Sequence, residues 1–434
     1  MTTDNENEQQ QKVQVRFRSR ESRYSVTTAP ILVPIGVKRI GLSSIVNQLL
    51  NSDNPEPTEK TIPFDFLIEN KFLRTSLSEY LDANAKSTES ILEIEYLPVQ
   101  SPPSPSHSYP HPDWIASIRS TDDLVLTGCF DGKARLWDYS GNSLAILDCG
   151  KPGKGIKAVG FVKRKEGLVA LAGGVDGEKI GAWQISGQTA TKLYDAIGHR
   201  GAIESLDVSP SHSHFASSSW DGKILYWTTE RPTDEDDEED EAENTKSGQK
   251  RKQPPTSRPA PIKTPLLTLE GHIGCVSAVA FRQGSEENIL YSGGWDHSVR
   301  VWDLVGRSNT LSMSCESVVS ALAHSANSGL IATGHSDSLV RLWDPRSQDG
   351  VAVKLKLKSH KGWVSSVSWS PSSSHMLAST SYDSTVKVWD VRSTTPLYTL
   401  AGSQDKSMKL FALEWNDRVI MTGGEQGELK TWEF

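Results

Sequence analysis

The sequence predicts an all-β propeller of seven blades over residues 111–434, preceded by a small α+β domain of β-grasp type at residues 12–98. Three observations lead there. Tryptophan recurs at near-constant spacing (Trp137, Trp183, Trp227, Trp302, Trp343, Trp389 and Trp432), with gaps of 46, 44, 75, 41, 46 and 43 residues. The first six follow an aspartate by six or seven positions (Asp131, Asp176, Asp221, Asp296, Asp337 and Asp383), and Glu425 keeps the frame for the last. Residues 12–98 lack this repeat and alternate strand-like with helix-like patterns instead.

Each repeat carries the same elements. A small-residue-rich apolar run comes first, as in residues 289–294. A tight Asp-Gly or Asp-Ser turn follows in most units, which is hairpin chemistry. Then comes an alternating strand such as Ser298-Val-Arg-Val-Trp302. A period of about 40–45 residues with a turn aspartate and a strand tryptophan is the signature of a WD40 blade, one four-stranded sheet per unit. The 75-residue gap is one blade plus an insertion, because residues 228–264 hold no strand pattern.

Composition sets the class. A net charge of −8 argues against general nucleic-acid affinity. No apolar run approaches the roughly 18 residues of a membrane span. Residues 1–11 are polar and acidic, which predicts a disordered terminus and not a signal peptide. The four cysteines, Cys129, Cys149, Cys275 and Cys315, have no CxxC spacing and read as buried strand thiols of a reducing compartment.

In the N-terminal part, residues 13–17 alternate as a strand and residues 29–35 suit its hairpin partner. Leu42, Ile45, Val46, Leu49 and Leu50 have helical spacing, with Ser43 and Ser44 as candidate N-caps. Residues 64–68 and 71–73 read as two short strands, 76–81 as a helical turn and 91–96 as a closing strand. The order β-β-α-β-β-α-β is that of a ubiquitin-like β-grasp.

Specific residues then narrow the family. Gly41-Leu-Ser-Ser-Ile-Val46, Pro63-Phe-Asp-Phe-Leu-Ile-Glu69 and Leu73-Arg-Thr-Ser-Leu77 resemble the NLE-type ubiquitin-like domain. That domain precedes a WD40 propeller in two large-ribosomal-subunit assembly factors, Notchless and the WD-repeat subunit of the PeBoW complex. Seven repeats and the opening run His111-Pro-Asp-Trp-Ile-Ala-Ser117 resemble the PeBoW type, since Notchless would be expected to carry eight.

The chain reaches only two residues past Trp432, so the last blade is expected to borrow its outer strand from the other end of the domain. The candidate donor is the Pro/Ser-rich linker 99–110, whose prolines suit an edge strand, and which also tethers the ubiquitin-like domain.

The turn aspartates invite a hydrolase reading. In WD40 blades, however, this aspartate bonds a loop histidine that reaches a Ser or Thr and then the indole N–H. The sets predicted here are His111–Asp131–Thr127–Trp137, His199–Asp221–Ser217–Trp227, His272–Asp296–Ser292–Trp302 and His360–Asp383–Ser379–Trp389. A network that recurs four times orders blades and catalyses nothing. Blades two, five and seven lack the histidine near Gly155, Cys315 and Gln404, so they are expected to be held more loosely.

Residues just before the turn aspartates should ring the mouth of the central channel. They are Phe130, Trp220, Trp295 and Tyr382, joined by Trp114 and Trp363 three residues after two loop histidines. Large aromatics on a polar face are typical anchors of protein interfaces. The insertion holds an acidic run from Asp234 to Glu241 and the basic Lys250-Arg-Lys252. It reads as a disordered, solvated loop, expected on the opposite face, with nuclear import or contact with basic proteins as its functional readings.

The resemblance implies one sharp chemical role. In the NLE-type family a glutamate in the loop before the last strand docks onto the metal-ion-dependent adhesion site of midasin, a giant AAA+ ATPase. Glu89 matches that position. It would be a ligand supplied in trans to the partner's Mg²⁺, which leaves one position open for a carboxylate oxygen. No cofactor of the chain's own is expected. The resemblance thus implies a non-enzymatic factor of the nucleolus and nucleoplasm, held with Pescadillo and the Bop protein on pre-60S particles and released by midasin. The alternative is a WD40 scaffold or substrate adaptor of the ubiquitin pathway. Against it, the ubiquitin-like domain ends Tyr96-Leu-Pro-Val99, without the Gly-Gly that conjugation needs.

Overall fold

Val13, Val15 and Phe17 alternate with polar residues along the first strand, β1 (Lys12–Arg18), and all three are buried. That period-two pattern is what a sheet with one covered face requires. The computed structural model describes every residue except 1–10, 20, 54–60, 70, 88–89, 100, 150–152, 176–178, 233–259, 285, 347–352, 403–404 and 406. It divides into two compact units, one of residues 1–102 together with 390–395 and 434, and one of residues 103–389 and 396–433.

In the N-terminal unit, β2 (Ile31–Pro34), α1 (Arg39–Asp53), β3 (Phe64–Ile68), β4 (Lys71–Phe72), α2 (Leu77–Ala83) and β5 (Leu92–Pro98) follow β1. The sheet order is β2-β1-β5-β3-β4, with β1 parallel to β5 and the remaining pairs antiparallel. Its core joins Val15, Phe17, Leu42, Val46, Phe64, Phe66, Leu77, Ile94 and Tyr96. A short 3-10 turn at Ser22–Tyr24 had no sequence signal.

Ser43 and Ser44 are not N-caps, because α1 begins at Arg39. Ser43 lies one turn inside the helix and works sideways. Its hydroxyl donates to the Ile62 carbonyl at 3.3 Å and accepts the Phe64 N–H at 3.0 Å. Asn47, one turn on, exchanges two more bonds with Ile62, at 2.7 and 2.9 Å. These side chains tie α1 to the start of β3. Ser76, by contrast, does cap α2, accepting the Glu79 N–H at 3.3 Å.

The propeller comprises seven sheets, antiparallel throughout except for one short added strand in blade two. Their inner strands are Ile115–Ser120, Ile156–Arg164, Ile203–Val208, Val276–Phe281, Val319–His324, Val364–Trp369 and Leu410–Trp415, each beside the next and the last beside the first. The repeat tryptophans are all buried, between 0 and 7 % exposed. The glycines that end the second strands of blades two, four and seven have a steric reason: a Cβ on Gly424 would come 2.1 Å from the Lys409 carbonyl oxygen. Blade seven takes its outer strand from Ser104–Pro110, which pairs antiparallel with Glu428–Glu433, Tyr109 facing Leu429.

One expectation about the insertion is overturned. Residues 228–264 are not wholly without strand: Ile262–Lys263 adds to blade two, parallel to Thr189–Ile197. The anchor is Lys263, whose ammonium donates to the Glu230 carbonyl and lies 5.0 Å above the Tyr194 ring. Blade three then takes its outer strand, Leu267–Glu270, from beyond the insertion. The acidic run and basic cluster lie outside the described residues, as do the N-terminal residues 1–10. Three of the four cysteines are buried and Cys149 is half-buried, but only Cys129 sits within a strand. Among the described residues no helix is long and apolar enough to cross a membrane.

Candidate functional site

Three blades contain the predicted polar network. His199 Nδ1 lies 3.0 Å from Asp221 Oδ2 and its Nε2 2.8 Å from Ser217 Oγ, which accepts the Trp227 indole N–H at 3.0 Å. The same chain runs His272–Asp296 at 2.9 Å, His272–Ser292 at 2.7 Å and Trp302–Ser292 at 2.8 Å. It repeats as His360–Asp383 at 3.0 Å, His360–Ser379 at 2.8 Å and Trp389–Ser379 at 2.8 Å. Burial pushes the Asp221 carboxyl up, but the His199 bond and the N–H groups of Arg200 and Lys223 outweigh it, bringing it to about 2. Burial likewise pushes His272 and His360 down, against their carboxylate partners.

Blade one departs from the prediction. His111 Nε2 meets Thr127 Oγ1 at 2.8 Å, and Thr127 accepts the Trp137 N–H at 3.0 Å. Asp131 is not in this chain, because Arg135, four residues on, takes its carboxylate with both guanidinium nitrogens. Blade five, expected to be looser, holds a network that sequence reasoning missed. His335 Nε2 lies 2.8 Å from Thr333 Oγ1, which accepts the Trp343 N–H at 2.7 Å, and Arg341 pairs with Asp337 at 2.6 Å. Here the histidine comes from the second strand instead of the preceding loop. An arginine four residues after the turn aspartate, as at 131/135 and 337/341, does not by itself mark this arrangement, since Arg300 stands at the same distance from Asp296 and His272 still bonds that aspartate. Asp176 and Gln404 lie outside the described residues. The hydroxyls of Thr127, Ser217, Ser292, Thr333 and Ser379 belong to residues with no exposed surface, so none can meet a substrate as a nucleophile.

The channel mouth is where accessible chemistry collects. A cavity of about 250 Å³ is lined by Phe130, Trp220, Trp295, Trp363, Tyr382 and Phe411, with Lys157 and Glu204 among them. Trp114 stands behind Phe130 and Phe411, 5.6 and 5.8 Å away. Trp114, Trp220, Trp295, Trp363 and Tyr382 are each 36–47 % exposed, unlike the buried repeat tryptophans. Backbone bonds fix the pairs: Phe130 N–H donates to the Trp114 carbonyl and Tyr382 N–H to that of Trp363, both at 2.9 Å. The Trp363 and Tyr382 rings therefore stack, 6.1 Å apart and nearly parallel, and Tyr382 meets Phe411 edge-on at 5.7 Å.

Trp220 and Trp295, from blades three and four, form a second group 4.9 Å apart. The Trp220 indole N–H donates to Glu204, whose carboxylate also binds the Lys157 ammonium at 2.6 Å. Sequence reasoning missed Phe411. Its signal is positional: it is the second residue of its inner strand, as are Ala116, Lys157, Glu204, Ser277, Ser320 and Ser365, all lining the same cavity.

Toward the opposite end of the inner strands, Arg119 donates to Glu414 at 3.2 Å beside Asp207, and burial pushes both carboxyls up. Glu89 lies outside the described residues, between the end of α2 at Ala83 and the start of β5 at Leu92. Among the described residues no cluster of three or more His, Cys, Asp or Glu could hold a metal ion.

The geometry defines a class: a WD40 propeller with an aromatic-rimmed channel mouth, joined to a ubiquitin-like β-grasp. Residues 13–81 match the NLE (NUC135) domain family, and 103–138, 190–228, 263–303, 308–344 and 352–390 match the WD domain, G-beta repeat. Blades two and seven fold as blades although that family's matches reach only their outer strands, Thr189–Ile197 and Ser104–Pro110. The chain is 34% identical to the ribosome biogenesis protein WDR12 homolog of Nematostella vectensis, over 96% of this chain and 98% of that one. It is 35% identical to the Chlamydomonas reinhardtii homolog (94% of each) and 34% to ribosome biogenesis protein ytm1 of Schizosaccharomyces pombe (96% and 95%). The chain belongs to the WDR12/Ytm1 family of ribosome biogenesis proteins.

Proposed function

We propose that this ribosome biogenesis factor is a non-enzymatic assembly factor for the large subunit, acting on pre-60S particles in the nucleolus and nucleoplasm. The propeller binds the Bop–Pescadillo complex through its aromatic mouth, with Trp114, Phe130, Trp220, Trp295, Trp363 and Tyr382 as the contact set. The ubiquitin-like domain presents Glu89 to the open Mg²⁺ position of midasin's adhesion-type site, and ATP-driven pulling by that enzyme releases the complex. The observation that carries this reading is similarity to ribosome biogenesis proteins along nearly the whole chain, across both domains. The burial of every network hydroxyl supports a scaffold over a hydrolase.

The test is affinity purification of wild type, Glu89→Ala and Glu89→Asp chains, with mass spectrometry of what co-purifies. All three should retain Bop, Pescadillo and pre-60S proteins, and only the wild type should capture midasin. The aspartate keeps the charge but shortens the reach. Normal midasin capture by Glu89→Asp would overturn the metal-ligand assignment. Recovery of cullin or ubiquitin-ligase subunits in place of pre-60S proteins would overturn the reading as a whole.

A further inference from the structure

We propose that the outer strand of blade five, Val353–Lys358, is a contact surface for the phosphate backbone of RNA, through Lys354, Lys356 and Lys358. The inference is independent of the roles given above to Glu89 and to the aromatic mouth.

The strand is one-sided. Leu357 is buried and Val353 and Leu355 are half-buried, while Lys354 and Lys358 are exposed and Lys356 is half-buried. Lys356 and Lys358 pair in register with Arg341 and Leu339, so they share a face about 7 Å apart. Successive phosphates of an extended nucleic-acid strand have a similar spacing. Lys354 stands at the bulge where the register shifts, a feature that bends an edge strand and re-aims its side chains.

Among the described residues no other outer strand of the propeller gathers basic charge. Those of blades four, six and seven carry no charged residue, and those of blades one and three each end on one acid. Blade two sets Lys192 against Asp195 at 2.8 Å, and its added strand buries Lys263. On blade five the nearby carboxylates are already engaged. Glu316 is shared by Lys356 and Arg341, Asp337 is taken by Arg341, and Asp344 by Arg346. Among the described residues that leaves Lys354 and Lys358 without an ion pair, in a chain whose net charge is −8.

Lysines on an edge strand also guard against pairing with another chain. That duty would fall equally on the uncharged edges of blades four and six, which have none. A row of cations instead matches a polyanion that repeats its charge at every unit. Neutralising such a backbone is the sequence-independent part of nucleic-acid binding. The chain's family works in ribosome biogenesis, where that polyanion is RNA.

The experiment titrates the full-length chain against a labelled single-stranded oligouridine over a series of salt concentrations. Each phosphate contact on a single strand contributes about 0.7 to the slope of log affinity against log salt. The Lys354→Ala, Lys358→Ala chain should therefore lose about 1.4 of slope and bind roughly tenfold or more weakly at low salt. Lys354→Arg, Lys358→Arg should keep both, and Lys192→Ala should change neither. Both lysines are exposed, so melting temperature should hold throughout. An unchanged slope in the double alanine chain overturns the proposal. So does displacement of the RNA by polyglutamate at equal charge concentration, which would assign the strand to acidic protein segments. Self-association of the double alanine chain with RNA binding intact would leave the lysines as an edge guard, and overturns it too.

Discussion

His111 Nδ1 lies 3.1 Å from the carbonyl oxygen of Tyr109, in the place where blades three, four and six put an aspartate. Tyr109 belongs to the strand that closes the ring, and its ring stacks on Trp137 at 6.1 Å while its hydroxyl donates to the Tyr139 carbonyl at 2.9 Å. The His111 N–H donates in turn to the Gly427 carbonyl of blade seven. Blade one has therefore exchanged an internal carboxylate for a link to the seam, and Arg135 has taken the freed Asp131.

This predicts opposite couplings in two blades. A double-mutant cycle between His199 and Asp221 should give an interaction energy of about 1–3 kcal/mol, as bonded neighbours do. The same cycle between His111 and Asp131 should give about zero, within the ~0.5 kcal/mol expected of independent sites. Urea unfolding of the single and double alanine variants measures both. A large His111–Asp131 coupling would contradict the assignment.

The seam should also be sensitive to Tyr109. Its burial and stacking make Tyr109→Ala a cavity mutation, costing about 3–5 kcal/mol as buried aromatic truncations do. Hydrogen exchange should rise first in Glu428–Glu433, the strand it covers. Uniform loosening of all seven blades would instead mean that closure does not depend on this contact.

The buried histidines set an acid limit. Burial pushes His335 from the ordinary 6.5 to about 4, and His111 and His324 to about the same value. Between these values the unfolded chain binds protons that the folded chain refuses. The stability is thus full above about pH 6.5 and is lost as pH falls toward 4. For fully buried His335 the separation corresponds to about 3 kcal/mol. Asp221, held at about 2, adds its own loss only below its ordinary 3.8. Unfolding midpoints at pH 7.5 and 5 should differ in the wild type and differ by less in His335→Gln, where His111 and His324 supply what remains; an undiminished difference in the variant would refute the role of His335.

Much of this was written in period and punctuation. The tryptophan spacing placed seven blades because each indole must be buried at the same register, and Pro-rich residues marked the seam because prolines are tolerated at an edge. The choice of hydrogen-bond partner was not legible. Whether Asp131 bonds His111 or Arg135 depends on which donor reaches it in three dimensions, and both stand at plausible sequence distances. The start of α1 was hidden for a related reason: its first turn, from Arg39, precedes the first buried helical residue, Leu42, so apolar spacing could not mark it. Four rim aromatics were visible one step before their turn aspartates and two more three residues after loop histidines, whereas Phe411 needed knowledge of where its inner strand begins.

The last prediction concerns that rim. Trp220 and Trp295 are 47 and 42 % exposed, so removing them leaves no cavity in a core. Alanine at both should change stability by no more than about 0.5 kcal/mol each, as surface sites do. Binding of the Bop protein should nonetheless weaken by at least about tenfold, since exposed aromatics that become buried in an interface commonly carry more than 1 kcal/mol. Glu204→Leu separates contact from orientation. It leaves both rings present but removes the acceptor of the Trp220 N–H and the partner of Lys157. If the mouth binds through prearranged rings, Glu204→Leu should weaken capture nearly as much as Trp220→Ala, and the Trp220 fluorescence should shift. If capture by Glu204→Leu matches wild type while Trp220→Ala fails, the rings act by area alone and their arrangement does not matter.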